Sequence, residues 1–244
     1  MAYDKVVDSS VLDAGLSKVA DAIRTKGNTT GSLTFPDGMA SAIAAITTGG
    51  GSGSGASDEL MSFIKGVLDR TTTATQFPSE LSNITKIGAY AFSYCTKLAL
   101  TSLPSTVTYI ENSAFANCTN LALTSLPDGM TSIQLYTFRY CPKLALTTVP
   151  DGVQLIGSYA FQACTGLTSF TLPSGIKTIS NNAFYGCTGL TTVTFKGTPT
   201  SLSSSAFKNC TNLTTINVPW AEGAVSNAPW GATNATINYN YTGE

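Results

Sequence analysis

Six cysteines stand at Cys95, Cys118, Cys141, Cys164, Cys187 and Cys210, each 23 residues after the one before. A thiol can act as a nucleophile, bind a soft metal or close a disulfide, and its surroundings decide which. The chain has no histidine. That removes Ser-His-Asp and Cys-His arrangements together with the commonest metal ligand and general base. Zinc needs ligands converging from several directions, and no C-x-x-C pair is present. An even number at regular spacing also fits a disulfide framework. If the six positions stack as equivalents, neighbours lie about 5 Å apart, a distance that permits bridging. Their side chains would run parallel, however, which is poor disulfide geometry. The reading that meets fewest objections is a buried row of free thiols acting as small hydrophobes.

Two further sets of side chains repeat with the cysteines. Asp128 and Asp151 occupy one position in adjacent repeats, so their carboxylates would lie about 5 Å apart, a separation suited to a retaining glycosidase. Both belong to Pro-Asp-Gly turns, with Ser105 and Ser174 as equivalents, and turn chemistry is the better account. Tyrosine carries the stronger signal. Tyr90, Tyr136 and Tyr159 fall five before a cysteine, Tyr94 and Tyr140 immediately before one, and Arg139 and Tyr185 in the neighbouring variable column with Ser93, Ala116, Gln162 and Lys208. Tyrosine gives large amphipathic contact area at low entropy cost. These seven residues, Tyr90, Tyr94, Tyr136, Tyr140, Tyr159, Arg139 and Tyr185, are the candidate ligand-contact surface. The competing account is that the tyrosines edge each turn and pack partly on the next. No catalytic, cofactor-binding or metal-binding residue is assigned, and no cofactor is expected.

What must position these groups is the period itself. Phe92, Phe115, Phe138, Phe161, Phe184 and Phe207 sit three before each cysteine, and Leu98, Leu121, Leu144, Leu167, Leu190 and Leu213 three after. Ile87, Ile110, Ile133, Ile156, Ile179 and Leu202 sit eight before. Pro104, Pro127, Pro150, Pro173 and Pro219 sit nine after, with Lys196 in the remaining place. A period of this length belongs to leucine-rich repeats, each repeat being one coil of a solenoid. The fold expected is a right-handed leucine-rich repeat solenoid of six 23-residue repeats. It would have a parallel β-sheet, short helical or 3-10 turns and a small N-terminal helical module. Within a repeat, the stretch after cysteine reads as a strand ended by proline, and Ala-Phe opens a helical turn ending at cysteine. The first three repeats carry leucine five after cysteine (Leu100, Leu123, Leu146). The last three carry an apolar residue six after (Phe170, Val193, Ile216), a one-residue shift that would exchange strand faces.

Residues 1–48 read as a small helical module, with Leu12, Leu16, Val19 and Ile23 on one stripe. Residues 49–56 are a Gly/Ser linker spanning roughly 15 Å. It resembles an engineered fusion linker, although coherent flanks favour a natural one. Residues 57–86 form an N-terminal cap and degenerate repeat, with Ser57 capping a helix whose stripe is Leu60, Ile64, Val67 and Leu68. Residues 87–216 are the repeats. Residues 217–244 form a C-terminal cap, with Trp220 and Trp230 over the last turn and Ile237, Tyr239 and Tyr241 alternating as in a strand. The chain is 43% apolar and 11% charged with net charge −1, which predicts a folded protein without an electrostatic footprint for nucleic acid. No apolar run is long enough to cross a membrane as a helix, and Met1-Ala-Tyr-Asp opens without the pattern of a secretory signal.

The element Ala91-Phe92…Cys95…Leu98…Leu103-Pro104…Ile110, repeated through Ala206-Phe207…Cys210…Leu213…Val218-Pro219, resembles the BspA-like leucine-rich repeat family over about residues 77–220. Departures are Thr137 for alanine, Pro142 after the third cysteine, and Lys196-Gly197-Thr198-Pro199 in place of Pro-x-Gly. The flanks, Val7-Asp8…Phe35-Pro36-Asp37-Gly38…Ala42-Ile43 and Val218-Pro219-Trp220…Ala228-Pro229-Trp230-Gly231, are similar to segments of tail-associated or other structural proteins of gut bacteriophages and prophages. The first resemblance implies a non-enzymatic recognition or adhesion scaffold. The second implies a virion component that binds protein or glycan on a host cell surface and attaches to other virion proteins through residues 1–48. A bacterial cell-surface or secreted adhesin is the alternative. Self-association is compatible with either, and neither nucleic-acid binding nor membrane insertion is expected.

Overall fold

The computed structural model describes residues 58–243. The helical module expected at 1–48, the linker at 49–56 and the Ser57 cap lie outside the described residues. The chain opens with helix α1 (Asp58–Leu68) and a short 3-10 turn (Ser79–Leu81). Ten short strands follow: β1 (Lys86–Ile87), β2 (Tyr109–Ile110), β3 (Ser132–Ile133), β4 (Leu155–Ile156), β5 (Ser169–Leu172), β6 (Thr178–Ile179), β7 (Thr192–Phe195), β8 (Ser201–Leu202), β9 (Thr215–Asn217) and β10 (Thr236–Asn238). All pairing is parallel. One face of the coil carries β1-β2 and β3-β4-β6-β8, and another carries β5-β7-β9-β10. The register joins equivalent residues of successive repeats, as in Ile87↔Ile110, Ile156↔Ile179 and Phe170↔Val193. This is the expected parallel-strand leucine-rich repeat solenoid.

The phenylalanine, cysteine, leucine and isoleucine columns are the core. The phenylalanine rings from Phe92 to Phe207 stack in one row, neighbours 5.1–5.7 Å apart and close to parallel. The cysteine, leucine and isoleucine columns run beside it, buried from the first repeat to the last. At the N-terminal end α1 closes the row with Leu60, Phe63, Ile64 and Val67. Phe63, which the helical stripe read from the sequence left out, meets Phe77 at 5.5 Å and Phe92 at 6.1 Å. At the other end Trp220 and Trp230 lie 5.1 and 6.2 Å from Phe195. The Phe207 N–H donates to the Trp230 carbonyl, so the C-terminal cap copies the hydrogen bond a seventh repeat would accept. Strand β10 extends the sheet by pairing Ile237 with Ile216.

The strand expected after every cysteine forms only in repeats four to six and in the cap. The one-residue shift explains the difference. In repeats four to six the buried residues after the leucine alternate, Phe170/Leu172, Val193/Phe195 and Ile216/Val218, which is the period of a strand. In the first three, two outward residues separate the buried pair: Thr124 and Ser125 lie between Leu123 and Leu126. The period of two is broken there, and the chain runs extended without a regular ladder. The departures from the repeat pattern also have local causes. Thr137 is buried and its hydroxyl donates to the Gln134 carbonyl at 2.9 Å. Lys196 has the backbone N–H that proline lacks, and it donates to Leu172 O at 2.9 Å.

Candidate recognition surface

The third face of the coil is the turn from Ala-Phe to Cys, and here the structure corrects the helical turn expected from the sequence. N–H groups two and four before cysteine, and those of Cys95, Cys118, Cys164, Cys187 and Cys210 themselves, bond three residues back. In the first four repeats those five, three and one before reach the next repeat instead. In the first repeat Tyr90, Phe92 and Tyr94 donate to Asn112, Ala114 and Ala116. The outer two residues of the first five sets hold left-handed backbone: Tyr90 (φ 58°), Tyr94 (63°), Ser113 (57°), Asn117 (62°), Tyr136 (57°), Tyr140 (56°), Tyr159 (55°), Ala163 (54°), Asn182 (56°) and Gly186 (68°), and in the sixth Asn209 (61°) does. Asparagine and glycine take this conformation readily, while a bulky residue there is a rarity. The ladder to the next repeat enforces it, with Tyr94 N–H on Ala116 O at 2.8 Å and Tyr140 N–H on Gln162 O at 2.7 Å.

Most of the left-handed residues carry exposed or half-buried side chains, Ser113 being buried, and most candidate residues meet on this face. Tyr90 and Tyr94 are 52% and 58% exposed, and Tyr140 is 38% exposed. In the third repeat the Arg139 guanidinium lies over the Tyr136 ring at 5.3 Å and the Tyr140 ring at 4.6 Å. Its Nε–H donates to Gln162 Oε1 at 2.8 Å. Tyr159 stacks on Tyr136 at 5.3 Å, so these two pack partly on each other, as the competing account had it. Tyr185 stands apart: it is half-buried and its hydroxyl accepts from Asn209 Nδ2 at 2.7 Å. Sequence reasoning passed over Arg70, whose guanidinium lies 5.8 Å from the Tyr94 ring. It also passed over the small residues of the second repeat. The shared columns held the signal for the latter, since Ser113 and Asn117 are the equivalents of Tyr90 and Tyr94.

A parallel-strand coil with one period and one set of core columns throughout is what a family comparison can decide. The model of the BspA type leucine rich repeat region matches six copies, over residues 71–165 and 131–227. The chain belongs to this family. Among solved structures, the T. pallidum leucine-rich repeat protein is 32% identical over 54% of this chain and 62% of its own length, with a TM-score of 0.46. The pneumococcal vaccine antigen PcpA is 19% identical over 70% of this chain and 42% of its own, with a TM-score of 0.55, a likeness of fold. A leucine-rich repeat protein from Eubacterium ventriosum is 24% identical over 72% and 46%, with a TM-score of 0.48. The chain therefore spans less than two thirds of the length of each of these proteins. No curated protein matches it.

The cysteines of this BspA-type coil are free and buried. Each thiol has a partner that the sequence did not suggest. From Cys118 to Cys210 each Sγ–H donates to the carbonyl of the phenylalanine one repeat back, at 2.9–3.1 Å, and Cys95 reaches Val67 O of α1 at 3.8 Å. The carbonyls of Phe92, Phe115, Phe161 and Phe184 also accept from the cysteine N–H of their own repeat, so there the thiol fills the second lone pair. Burial pushes Cys95 up to about 11 and Cys164 up to about 12, and raises Cys118, Cys141 and Cys187 well above the ordinary thiol range. Such thiols stay protonated and unreactive at neutral pH. Asp128 and Asp151 are exposed at turn tips. Their turns close through Met130 N–H to Pro127 O and Val153 N–H to Pro150 O, which is the turn role that the Pro-Asp-Gly sequence suggested.

Proposed function

We propose that this chain is a non-enzymatic recognition protein whose tyrosine-bearing turn face, over the first three repeats, contacts protein or glycan at a host cell surface. One observation carries the reading. Five tyrosines occupy left-handed positions that asparagine and glycine fill at lower cost, and three of them are among the most exposed large apolar side chains described. Strain held against an easier residue points to use rather than to packing. Rigid aromatic side chains on a fixed backbone also bind with little loss of entropy.

The variant Tyr94→Asn with Tyr140→Asn tests it, because Asn117 and Asn209 already occupy equivalent positions in this chain. We expect adsorption to a panel of intact bacterial cells to disappear while the unfolding midpoint is retained or raised. Full adsorption by a folded double variant refutes the reading. The finer proposal places the chain on a bacteriophage particle, attached through residues 1–48, on the strength of the resemblance of the flanks. Trp220 and Trp230 already have a role in closing the coil, so the N-terminal segment bears that proposal. A bacterial surface or secreted adhesin would use the same face. Mass spectrometry of purified particles separates the two.

A further inference from the structure

The two ends of the coil are closed differently. At the first repeat, α1 covers the core and turns exposed Glu59 and the Lys65–Asp69 ion pair to solvent, the polar outer face that a solenoid cap needs. At the other end, Glu222 is the only charged residue between Lys208 and Glu244. Val225, Ala235, Ile237 and Tyr239 are only partly buried against the core there, and the sheet stops at β10. Thr236 N–H donates to Thr214 O at 2.8 Å, and Asn238 O accepts from Val218 N–H at 3.0 Å, so these two residues face β9. Backbone groups alternate in direction along a strand. The Ala235 carbonyl, the Ile237 N–H and carbonyl, and the Tyr239 N–H therefore point to the open side, and none bonds another described residue. No proline, bulge or charge guards this edge, the usual devices against pairing with another chain.

What the edge accepts follows from its own groups. Head-to-tail addition needs a second open edge, yet β5 at the far side of the sheet is bonded to the third repeat through Thr171 N–H to Thr147 O at 2.8 Å. Like edges remain, and two like edges meet antiparallel about a two-fold axis. With Ile237 on that axis, the N–H and carbonyl of each Ile237 bond those of the other copy, and each Tyr239 N–H meets the other Ala235 carbonyl. Every outward group then has a partner. The side chains agree. Asn238 Nδ2 donates to Asn217 Oδ1 at 2.8 Å and Asn217 Nδ2 to Thr194 Oγ1 at 3.2 Å, a ladder that leaves Asn238 Oδ1 without a donor among the described residues. In this register the exposed Thr236 of one copy lies directly opposite Asn238 of the other, a hydroxyl donor facing that acceptor. We infer that the C-terminal end of the coil is a docking surface for a second copy of this chain, joined by antiparallel pairing of β10 with β10 about Ile237.

The test reverses charge across the axis. Thr236→Lys with Asn238→Lys puts like charges opposite each other, as does Thr236→Asp with Asn238→Asp, while a mixture of the two variants brings opposite charges together. Both side chains are exposed, and far-UV circular dichroism verifies the fold. Sedimentation equilibrium of the full chain over a concentration series reads the mass. The parent is expected at the mass of two chains, each variant at least tenfold weaker in self-association, and the equimolar mixture again at two chains. Tyr239→Pro is the second probe, because it deletes one outward donor and none of the bonds to β9. It should weaken association at least tenfold as well. A parent of one-chain mass at every concentration overturns the inference and leaves the edge to a strand of another protein. A dimer that none of the variants weakens places self-association elsewhere and overturns it too. A mixture that stays monomeric overturns the antiparallel register.

Discussion

Replacing Phe138 by alanine perturbs the coil at its centre. The ring is fully buried and stacked between Phe115 at 5.7 Å and Phe161 at 5.6 Å, inclined by 10° and 13°. Core Phe→Ala changes cost about 3–5 kcal/mol, the spread reflecting how far a site can collapse. This site collapses little, because the backbones on either side are pinned by Phe115 N–H to Thr137 O at 3.0 Å and Phe138 N–H to Ala160 O at 2.9 Å. Two stacks, each worth about 0.5–1.5 kcal/mol beyond burial, are lost as well. The expected cost is therefore in the upper part of the range, about 4–5 kcal/mol. In a stack where each repeat contacts only its neighbours, a void in the third repeat also weakens coupling between the two ends. Guanidinium unfolding followed by two probes reads both effects. Far-UV circular dichroism reports the whole coil, whereas fluorescence reports Trp220 and Trp230 in the C-terminal cap. The transitions should coincide in the parent and separate in the variant. A loss below 1 kcal/mol would refute the continuous core, and a large loss with coincident transitions would refute the uncoupling.

Cys164→Ala removes the thiol donor to Phe138 O at 2.9 Å and leaves a small void. The expected cost is about 1–2 kcal/mol in the same denaturation assay, well below that of Phe138→Ala. Buried thiols also set the alkaline limit of stability. Except at Cys210, which its contact with Cys187 holds below it, the folded values lie above the unfolded value of 9.0, so between the two the folded chain keeps a proton that the unfolded chain has released. Stability is complete below about pH 9 and falls above it by about 1.4 kcal/mol per pH unit for each thiol, as far as about 11 for Cys95 and about 12 for Cys164. Unfolding midpoints measured from pH 7 to 11 check this, and a flat profile contradicts it. Gly189→Ala would bring a methyl group to 2.0 Å from Thr165 O and 2.9 Å from Leu167 O. The two repeats must part there, and we expect a loss of more than about 1 kcal/mol in thermal unfolding.

The core was legible because burial repeats by residue type. A position that faces the same neighbours in every coil selects the same side chain: Phe, Cys and Leu recur without a gap, and Ile gives way only to Leu202. The backbone between those columns was harder to read. The run Ala-Phe-x-x-Cys suggests a helical turn, yet in the first four repeats every second N–H leaves the turn to bond the next repeat. The clue lay in the columns before cysteine, where Asn117, Gly186 and Asn209 share a place with Tyr94 and Tyr140. Asparagine and glycine together mark left-handed backbone, but the tyrosines hid the mark. The unequal strands had a readable cause as well. Leu123 and Val193 differ by one place in their repeats, and that place decides whether the period of two survives to the proline.

That same pair of columns explains why the candidate surface emerged as two tyrosine rows and not as a scattered patch. A left-handed residue whose N–H is committed to the next repeat has its backbone direction fixed, so its side chain has only its own rotamers left to choose. Column after column, the side chains must then project in parallel, as Tyr136 and Tyr159 do at 5.3 Å. Variation in residue size along such a column becomes relief, with tall and short rows at the spacing of the strands. The ladder therefore does two things with one set of hydrogen bonds. It satisfies backbone groups that a tight turn would otherwise leave without partners, and it holds equivalent side chains of successive repeats in one register. Any substitution that frees the ladder, such as proline at Tyr94, whose N–H is spent on Ala116 O at 2.8 Å, should blur the relief and abolish cell adsorption even with every other tyrosine in place.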